Sequence, residues 1–178
     1  IDFIKVELVN SNTMYFEQHP LLEFQNLLNT TTGELSIKSN AFYRGLEFKI
    51  YDITEKTPYK RLTIEGSLHK YWNNGAHNFN DFGINEIQEV KQDLKETFNI
   101  DFNNCLLKQL EIGINILPPV KTKQILRYCL IHKTSQLKSI YTKDEGNYIQ
   151  TKNQRHFIKL YDKRTHYVNK GFEIDTEI

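Results

Sequence analysis

The sequence has few of the cysteines that cross-link small folds and lacks the long apolar runs that span membranes. Only two of its 178 residues are cysteines, Cys105 and Cys129, and neither belongs to a CxxC pair. This scarcity argues against a zinc knuckle and a disulfide framework, and it favours a reducing cytoplasm. No apolar run approaches the roughly 20 residues that span a bilayer, so a membrane partner is not expected.

The charge is nearly balanced overall but is distributed unevenly. The formal net charge is +1, which by itself does not indicate a nucleic-acid partner. Lys and Arg, interleaved with Tyr and His, are frequent from Lys121 to Lys170, whereas Asp and Glu gather in the middle third. Such a basic segment could bind phosphates, and a solvated basic face is the alternative interpretation.

Hydrophobic periodicity predicts a single α+β domain over residues 1–178, with a central antiparallel sheet and helices packed on one face. Asp81 is predicted to cap the long helix and Asn99 to close it, while Asn29 closes the first helix. The predicted helices are Leu21–Leu28 and Ile84–Phe98, and Thr122–Ile131 is predicted as a helix with an extended segment as the alternative. The predicted strands are Phe3–Val9, Glu34–Lys38, Ala41–Asp52, Arg61–Trp72, Leu106–Leu117, Leu137–Tyr141, Tyr148–Thr151 and Arg155–Tyr161. The sequence stops within a pattern at Glu173–Ile178, and we expect the domain to continue beyond Ile178.

Three of the predicted strands carry a polar face opposite an apolar one, because side chains alternate along a strand. If these strands are neighbours, the polar faces bring a carboxylate, a histidine, a tyrosine and lysines to one surface. The polar faces hold Glu65 and His69, then Glu111 and Asn115, then Lys159, Tyr161 and Lys163.

This set of side chains suits phosphoryl transfer. Glu111 and His69 could hold a divalent metal that polarises a phosphate, and Tyr161 could attack it to form a phosphotyrosine link. Nearby lysines would neutralise charge in the transition state. The alternatives are a wet sheet face, a salt bridge at Glu111 and a packing role for Tyr161. Glu111 interrupts an apolar run that is predicted to be a central strand, where an unpaired carboxylate is costly.

The chain resembles the replication initiators of filamentous phages and the related rolling-circle plasmid initiators, a divergent part of the HUH superfamily. The resemblance lies in Ile1-Asp2-Phe3 and in the order of three later motifs. Those motifs are Gly66-Ser67-Leu68-His69-Lys70, Leu110-Glu111-Ile112-Gly113-Ile114-Asn115-Ile116 and Ile158-Lys159-Leu160-Tyr161-Asp162-Lys163. A Gly/Asn-rich loop and an amphipathic helix separate the first two, so the resemblance covers most of the chain.

The resemblance implies an HUH-like endonuclease that nicks one strand of origin DNA and remains attached to it through Tyr161. It implies a requirement for Mg²⁺ or Mn²⁺, with Glu111 as a ligand and His69 as a ligand or a phosphate contact. The chain lacks the His-hydrophobic-His pair of the wider superfamily, which indicates a single-histidine or carboxylate-rich site with Glu65 as a further ligand. Single-stranded or hairpin origin DNA is the implied partner in a bacterial host cytoplasm, with a host helicase as a further candidate.

Four other residues are candidate DNA contacts, and two other functions compete with the nicking enzyme. A DNA-binding module without catalysis would use Tyr161 for stacking and pair Glu111 with a lysine. A relaxase that mobilises DNA between cells would use the same chemistry as the nicking enzyme. The candidate DNA contacts are Lys70, His77, Asn115 and Arg127.

Overall fold

The structure is a computed structural model that describes residues 1–9, 11–28, 30–143 and 146–173. Asn29, which was predicted to close a helix, and the final residues 174–178 lie outside the described residues. The chain forms two compact units, residues 1–113 and residues 114–178, and each is described by itself. Assignment of residues 1–178 to one domain stays a prediction, because compact units of this size can belong to one domain or to two.

Unit 1 is built on a six-stranded sheet in which every neighbouring pair is antiparallel. The order across the sheet is β2-β3-β4-β5-β1-β6, so β2 and β6 are its edges. The strands are β1 (Phe3–Leu8), β2 (Gln25–Leu28), β3 (Leu35–Tyr43), β4 (Leu46–Tyr51), β5 (Arg61–Gly66) and β6 (Cys105–Glu111).

One face of this sheet is apolar, and three helices pack on it. Alternate residues of the central strands are buried there, as in Phe48 and Ile50 of β4. The helices α1 (Thr13–Glu17), α2 (Leu68–Trp72) and α3 (Ile84–Phe98) add their own apolar residues to the same core. The prediction of an α+β fold with helices on one face of an antiparallel sheet is therefore confirmed for this unit. The helix residues in the core are Phe16, Leu68, Tyr71, Val90, Leu94 and Phe98.

The long helix α3 has the bounds that its periodicity predicts. Val90, Leu94 and Phe98 recur at four-residue spacing and are all buried. Asn99 ends the helix in the left-handed conformation, with φ of 54°, as predicted. The predicted cap Asp81 is wrong: Gly83 is the N-cap, and its N–H donates to the Glu86 carboxylate at 2.7 Å.

Three predicted segments are wrong for identifiable reasons. Residues 21–28 are not helical, because Gln25–Leu28 pairs with β3 as an edge strand. The predicted strand Ala41–Asp52 is a hairpin instead, since Arg44 and Gly45 turn the chain with φ of 45° and 79°. The predicted strand Leu106–Leu117 ends at Glu111, and it is an edge strand, not a central one.

The described residues of unit 2 form two small antiparallel sheets and two short helices. The helix predicted over Thr122–Ile131 is present as α4 (Thr122–Tyr128), and the last helix is α5 (Lys163–Asn169). Strands β9 (Lys138–Thr142), β10 (Gly146–Lys152) and β11 (Phe157–Tyr161) form a three-stranded sheet with β10 in the centre. Strands β7 (Ile131–His132) and β8 (Ser135–Gln136) form a hairpin. In the described part of the chain, no helix combines the length and apolarity that a membrane crossing requires.

Candidate functional site

Glu65, a predicted metal ligand, is held by two lysines on the outer face of the six-stranded sheet. Register places Lys5 of β1 and Glu47 of β4 on either side of it. Its carboxylate contacts the Lys5 ammonium at 2.8 Å and forms a short ion pair with Lys49, which also contacts Glu47 at 2.9 Å. A carboxylate with two cationic partners already has its charge compensated, so Glu65 does not fit the predicted metal-binding role.

These ion pairs make the stability of unit 1 depend on pH. Burial alone would raise the pKa of Glu65, but hydrogen bonds from Lys49 and Lys5 outweigh burial and hold the pKa below its ordinary value of 4.5. A carboxyl with a lowered folded-state pKa stabilises the fold above its ordinary pKa. That contribution is lost as pH falls through the lower folded-state pKa.

We expect Glu65→Gln to lower the free energy of unfolding at pH 7 by about 1–3 kcal/mol, since it removes charged hydrogen bonds. The deficit should be smaller at pH 3, because the contribution of the carboxylate to stability is lost as pH falls below the ordinary pKa of 4.5 and through the lower folded-state pKa. Urea unfolding at both pH values measures it, with the exposed Glu55→Gln as the matched control. An equal deficit at pH 3 and pH 7 would contradict the ion-pair explanation.

The motif Gly66-Ser67-Leu68-His69-Lys70 is a strand end followed by a helix, so the prediction that His69 lies on a strand is wrong. Strand β5 ends at Gly66, and the Ser67 hydroxyl caps α2 by accepting from the Lys70 N–H at 3.2 Å. Lys70, a predicted DNA contact, is half-buried, and its Cβ packs against the hairpin turn at Gly45.

His69 is buried in α2 and makes contacts that a structural histidine makes. Its Nε2 lies 2.7 Å from the Asn80 side-chain oxygen, and its ring stacks on Phe82 at a centroid distance of 4.6 Å. Only 5% of the residue is exposed. His69 therefore ties the helix to the loop that follows it.

That loop is organised by a reciprocal pair of amides. Asn73 donates to the Asn80 side-chain oxygen at 2.7 Å, and Asn80 donates back to Asn73 at 3.3 Å. Asn73 also donates to the main-chain oxygen of His77 at 3.0 Å, and the His77 ring stacks on Phe79 at 3.9 Å. His77, a predicted DNA contact, is half-buried in this arrangement. Sequence reasoning missed the Asn73–Asn80 pair, since seven-residue spacing in a loop carries no signal.

Glu111 lies at the end of the edge strand β6 and faces away from the core. Glu111 pairs with Phe3 of the neighbouring strand β1. The next residue of β1, Ile4, is buried in the core, so Phe3 and Glu111 point away from the core. One carboxylate oxygen accepts from the Gln109 side chain at 2.8 Å. Helix α2 packs on the opposite, core side of this sheet, so Glu111 and His69 do not share a face.

A second acidic residue, Asp2, lies next to the backbone that follows Glu111. The Asp2 N–H donates to the Glu111 carbonyl at 3.0 Å, and the Asn78 side chain donates to the Asp2 carboxylate at 3.3 Å. A Cβ at Gly113 would overlap that carboxylate, so a larger residue there would have to displace the Asp2 side chain. The opening Ile-Asp-Phe motif and Gly113 were noted from sequence, but their contact was not predicted.

The predicted metal ligands Glu111, His69 and Glu65 do not come together as a set. Among the described residues, no group of three or more His, Cys, Asp or Glu side chains is placed to hold a metal ion. Glu65 is paired with lysines and His69 is buried against Asn80. The residues of this set therefore do not fit the Mg²⁺ or Mn²⁺ that the resemblance implies.

Tyr161 is the last residue of β11 and is half-buried. Lys159, two residues earlier, lies on the same face, as predicted from alternation. The Lys159 ammonium lies 5.5 Å from the centre of the Tyr161 ring and 4.3 Å from that of Tyr148, which is opposite Tyr161 in register. A cation is thus placed beside the aromatic ring of the predicted nucleophile.

Two predictions about the neighbours of Tyr161 need correction. Lys163 is not on the strand, because Asp162 begins α5 by accepting from the Thr165 N–H at 3.0 Å. The Lys163 ammonium instead donates to the side-chain oxygen of Asn115 at 2.9 Å, so these two predicted residues do meet. The prediction that a single sheet carries Glu111 and Tyr161 is also wrong, since β6 and β11 belong to different sheets.

Arg127, the remaining candidate DNA contact, is exposed on α4, with its guanidinium 5.7 Å from the centre of the Tyr128 ring. Tyr128 itself is 70% exposed. Arg127 is therefore accessible to a phosphate, and its role as a DNA contact stays a prediction.

No protein-family model matches the chain, and neither a curated protein nor a solved structure gives a significant match.

Proposed function

We propose that the chain is a replication initiator with an HUH-like fold that nicks and rejoins one strand of DNA through Tyr161. The Tyr161 phenol oxygen attacks phosphorus and loses its proton, and the bond from phosphorus to the 3′ oxygen breaks. The 3′ oxygen takes up a proton and leaves as a free hydroxyl, while the 5′ phosphate stays bonded to tyrosine. The proposed substrate is single-stranded or hairpin origin DNA in a bacterial cytoplasm, with a host helicase as a further partner.

Charge supports a nucleic-acid substrate for unit 2. Residues 114–178 contain 12 Lys and Arg against 6 Asp and Glu, a net charge of +6. Residues 1–113 contain 11 Lys and Arg against 16 Asp and Glu, a net charge of −5. The near-neutral total conceals a basic unit, and that unit contains Tyr161.

The observation that carries the proposal is the placement of Lys159 beside Tyr161. The ammonium lies on the same strand face and within 5.5 Å of the ring centre. A fixed cation at this distance can neutralise the negative charge that develops on a phosphate under attack by the phenol oxygen. The strand-to-helix junction, capped by Asp162, holds the tyrosine at the end of β11.

The requirement for a divalent metal that the resemblance implies is separate from the proposed reaction. The predicted ligand set does not fit it, and among its members only Glu111 has a carboxylate that no ion pair engages in the described structure.

Mapping of a covalent adduct tests the proposal. Purified protein is incubated with single-stranded DNA from its own replicon, in separate reactions with Mg²⁺, Mn²⁺ or EDTA. We expect a protein–DNA species that survives denaturation, and mass spectrometry of its tryptic peptides should place the nucleotide on Tyr161. An adduct on another residue, or DNA cleavage without any adduct, would overturn the proposal.

A DNA-binding module without catalysis is the second candidate function. The contacts of Glu65 with two lysines and of His69 with Asn80 favour it, since they give both residues structural roles. Salt-dependent DNA binding without adduct formation under all three metal conditions would favour this candidate over the nicking enzyme.

A further inference from the structure

The register of the three-stranded sheet in unit 2 divides its side chains into two faces. Residues directly opposite one another in an antiparallel pair point to the same face. Because Tyr161, Lys159 and Phe157 are opposite Tyr148, Gln150 and Lys152, all six share one face with Lys138 of β9. We call this surface the Phe157 face.

Burial varies along both faces of the sheet. On the Phe157 face Tyr148 is buried, with 9% exposed, and on the opposite face the middle of β10 is buried. Ile149 and Thr151 of β10 lie there and are 3% and 5% exposed. On the Phe157 face, Phe157 itself is 50% exposed, and Lys138 and Lys152 are also exposed. Helix α5 approaches the Tyr161 end, where the His166 and Tyr161 rings lie 5.6 Å apart. The end that contains Phe157 remains accessible.

The composition of the accessible end is unusual for a solvent-exposed surface. A single exposed aromatic side chain is common on protein surfaces and by itself indicates no function. Phe157, however, lies directly opposite Lys152, and Lys138 lies across the central strand from Lys159. An aromatic ring among ammonium groups is the combination with which proteins bind unpaired bases and the phosphates between them.

We propose that the Phe157 face is a binding platform for single-stranded DNA, in which Phe157 stacks on one unpaired base and the lysines contact the backbone. This proposal rests on the proposed function and deepens it by assigning the surface that receives the strand. Phe157 and Tyr161 are four residues apart on β11, which separates them by about 13 Å. A strand that follows β11 from Phe157 therefore leads to the Tyr161 phenol.

Charge selects this occupant over a second copy of the chain. Lys138, Lys152 and Lys159 would face the same cations of another copy, and like charges opposite one another are unfavourable. A polyanion with exposed aromatic faces satisfies both the lysines and Phe157. Duplex DNA supplies the phosphates but stacks its bases internally, so it does not use the ring.

The test measures the binding of fluorescein-labelled single-stranded (dT)20 by anisotropy in EDTA, where metal-dependent cleavage is absent. We expect Phe157→Ala and Phe157→Leu to weaken binding at least about fivefold, and Phe157→Trp to retain it, since base stacking depends on the ring. Lys152→Gln should reduce the slope of log affinity against log salt by about 0.7, the value for one phosphate contact on a single strand.

Matched controls are available on the same unit. Tyr141 is 71% exposed on the opposite face of the sheet, so Tyr141→Ala removes a ring that is more exposed than Phe157 and lies elsewhere. Lys170→Gln removes an exposed charge outside the sheet. Both should bind (dT)20 with an affinity within about twofold of wild type if the ring and the charge act at the Phe157 face.

Unchanged affinity in both Phe157→Leu and Phe157→Ala would overturn the proposal, as would a duplex competitor whose binding shows the same dependence on Phe157. Preference for (rU)20 without measurable (dT)20 binding would overturn the assignment to DNA. The two proposals fail separately. If the Phe157 variants lose binding but the wild type forms no adduct, the binding platform is supported and the nicking activity is refuted. If the wild type forms an adduct but Phe157→Ala binds normally, the nicking activity is supported and the platform is refuted.

Discussion

Tyr161→Phe is expected to abolish the covalent protein–DNA adduct while leaving unit 2 folded. The substitution removes the phenol oxygen, which is the attacking atom of the proposed reaction, and keeps the ring that lies near Lys159 and His166. Loss of a nucleophile lowers turnover by several orders of magnitude, so we expect at least about a thousandfold less adduct. Quantitative gel analysis of labelled DNA, with thermal unfolding of the same sample, measures both effects.

Two other tyrosines provide controls for this variant. Tyr148 lies opposite Tyr161 in register and near the same ammonium, and Tyr141 lies on the other face of the sheet. Tyr148→Phe and Tyr141→Phe should both form the adduct. An adduct that persists in Tyr161→Phe and is lost in Tyr148→Phe would move the nucleophile across the strand pair and refute the assignment.

Prediction from sequence succeeded where the deciding interactions are local. Helix α3 spans 15 residues with a regular apolar stripe, and Asn99 supplies its left-handed end, so both its existence and its end were readable. The shared face of Lys159 and Tyr161 follows from alternation over two residues. Lys163 was misplaced although a signal exists, since Asp162 followed by Thr165 is the spacing of a helix cap.

The candidate site was less predictable because its partners are distant in sequence. Glu65 meets Lys5 and Lys49 only through strand pairing, and no local pattern shows which strands become neighbours. The same is true of β6, whose apolar residues suggested a central strand. Its place at the sheet edge depends on the order of all six strands. The predicted convergence of Glu65, His69 and Glu111 fails because His69 lies in α2 on the core side of the sheet. The two carboxylates lie on the outer face, where Glu65 is already paired with lysines.

The end of β5 shows how a local backbone constraint can override alternation. The segment Arg61–Trp72 continues to alternate in sequence, but Gly66 has φ of 144° and Ser67 caps α2 immediately afterwards. His69 consequently lies in α2 and not on the strand, and it is buried in contact with Asn80. A glycine followed by a helix-capping serine is the sequence signal that indicates this break.

Gly66→Ala is expected to destabilise unit 1 by more than about 3 kcal/mol, because two costs combine. The backbone conformation at φ of 144° is one that residues with a side chain rarely adopt. In addition, a Cβ would lie 2.5 Å from the Gly45 carbonyl oxygen and 3.0 Å from Leu46 Cδ2. The carbonyl belongs to the backbone of the hairpin turn and cannot rotate away, so the strand pair must separate.

Gly33→Ala is the matched control, since it carries the first cost without the second. Gly33 has φ of 73°, and a Cβ there meets no described atom within 4 Å. We expect it to lower the free energy of unfolding by about 1 kcal/mol, the strain of a left-handed alanine. Urea unfolding followed by circular dichroism compares the two variants. Equal losses would mean that the backbone conformation alone explains Gly66 and that its contact with Gly45 does not determine where β5 ends.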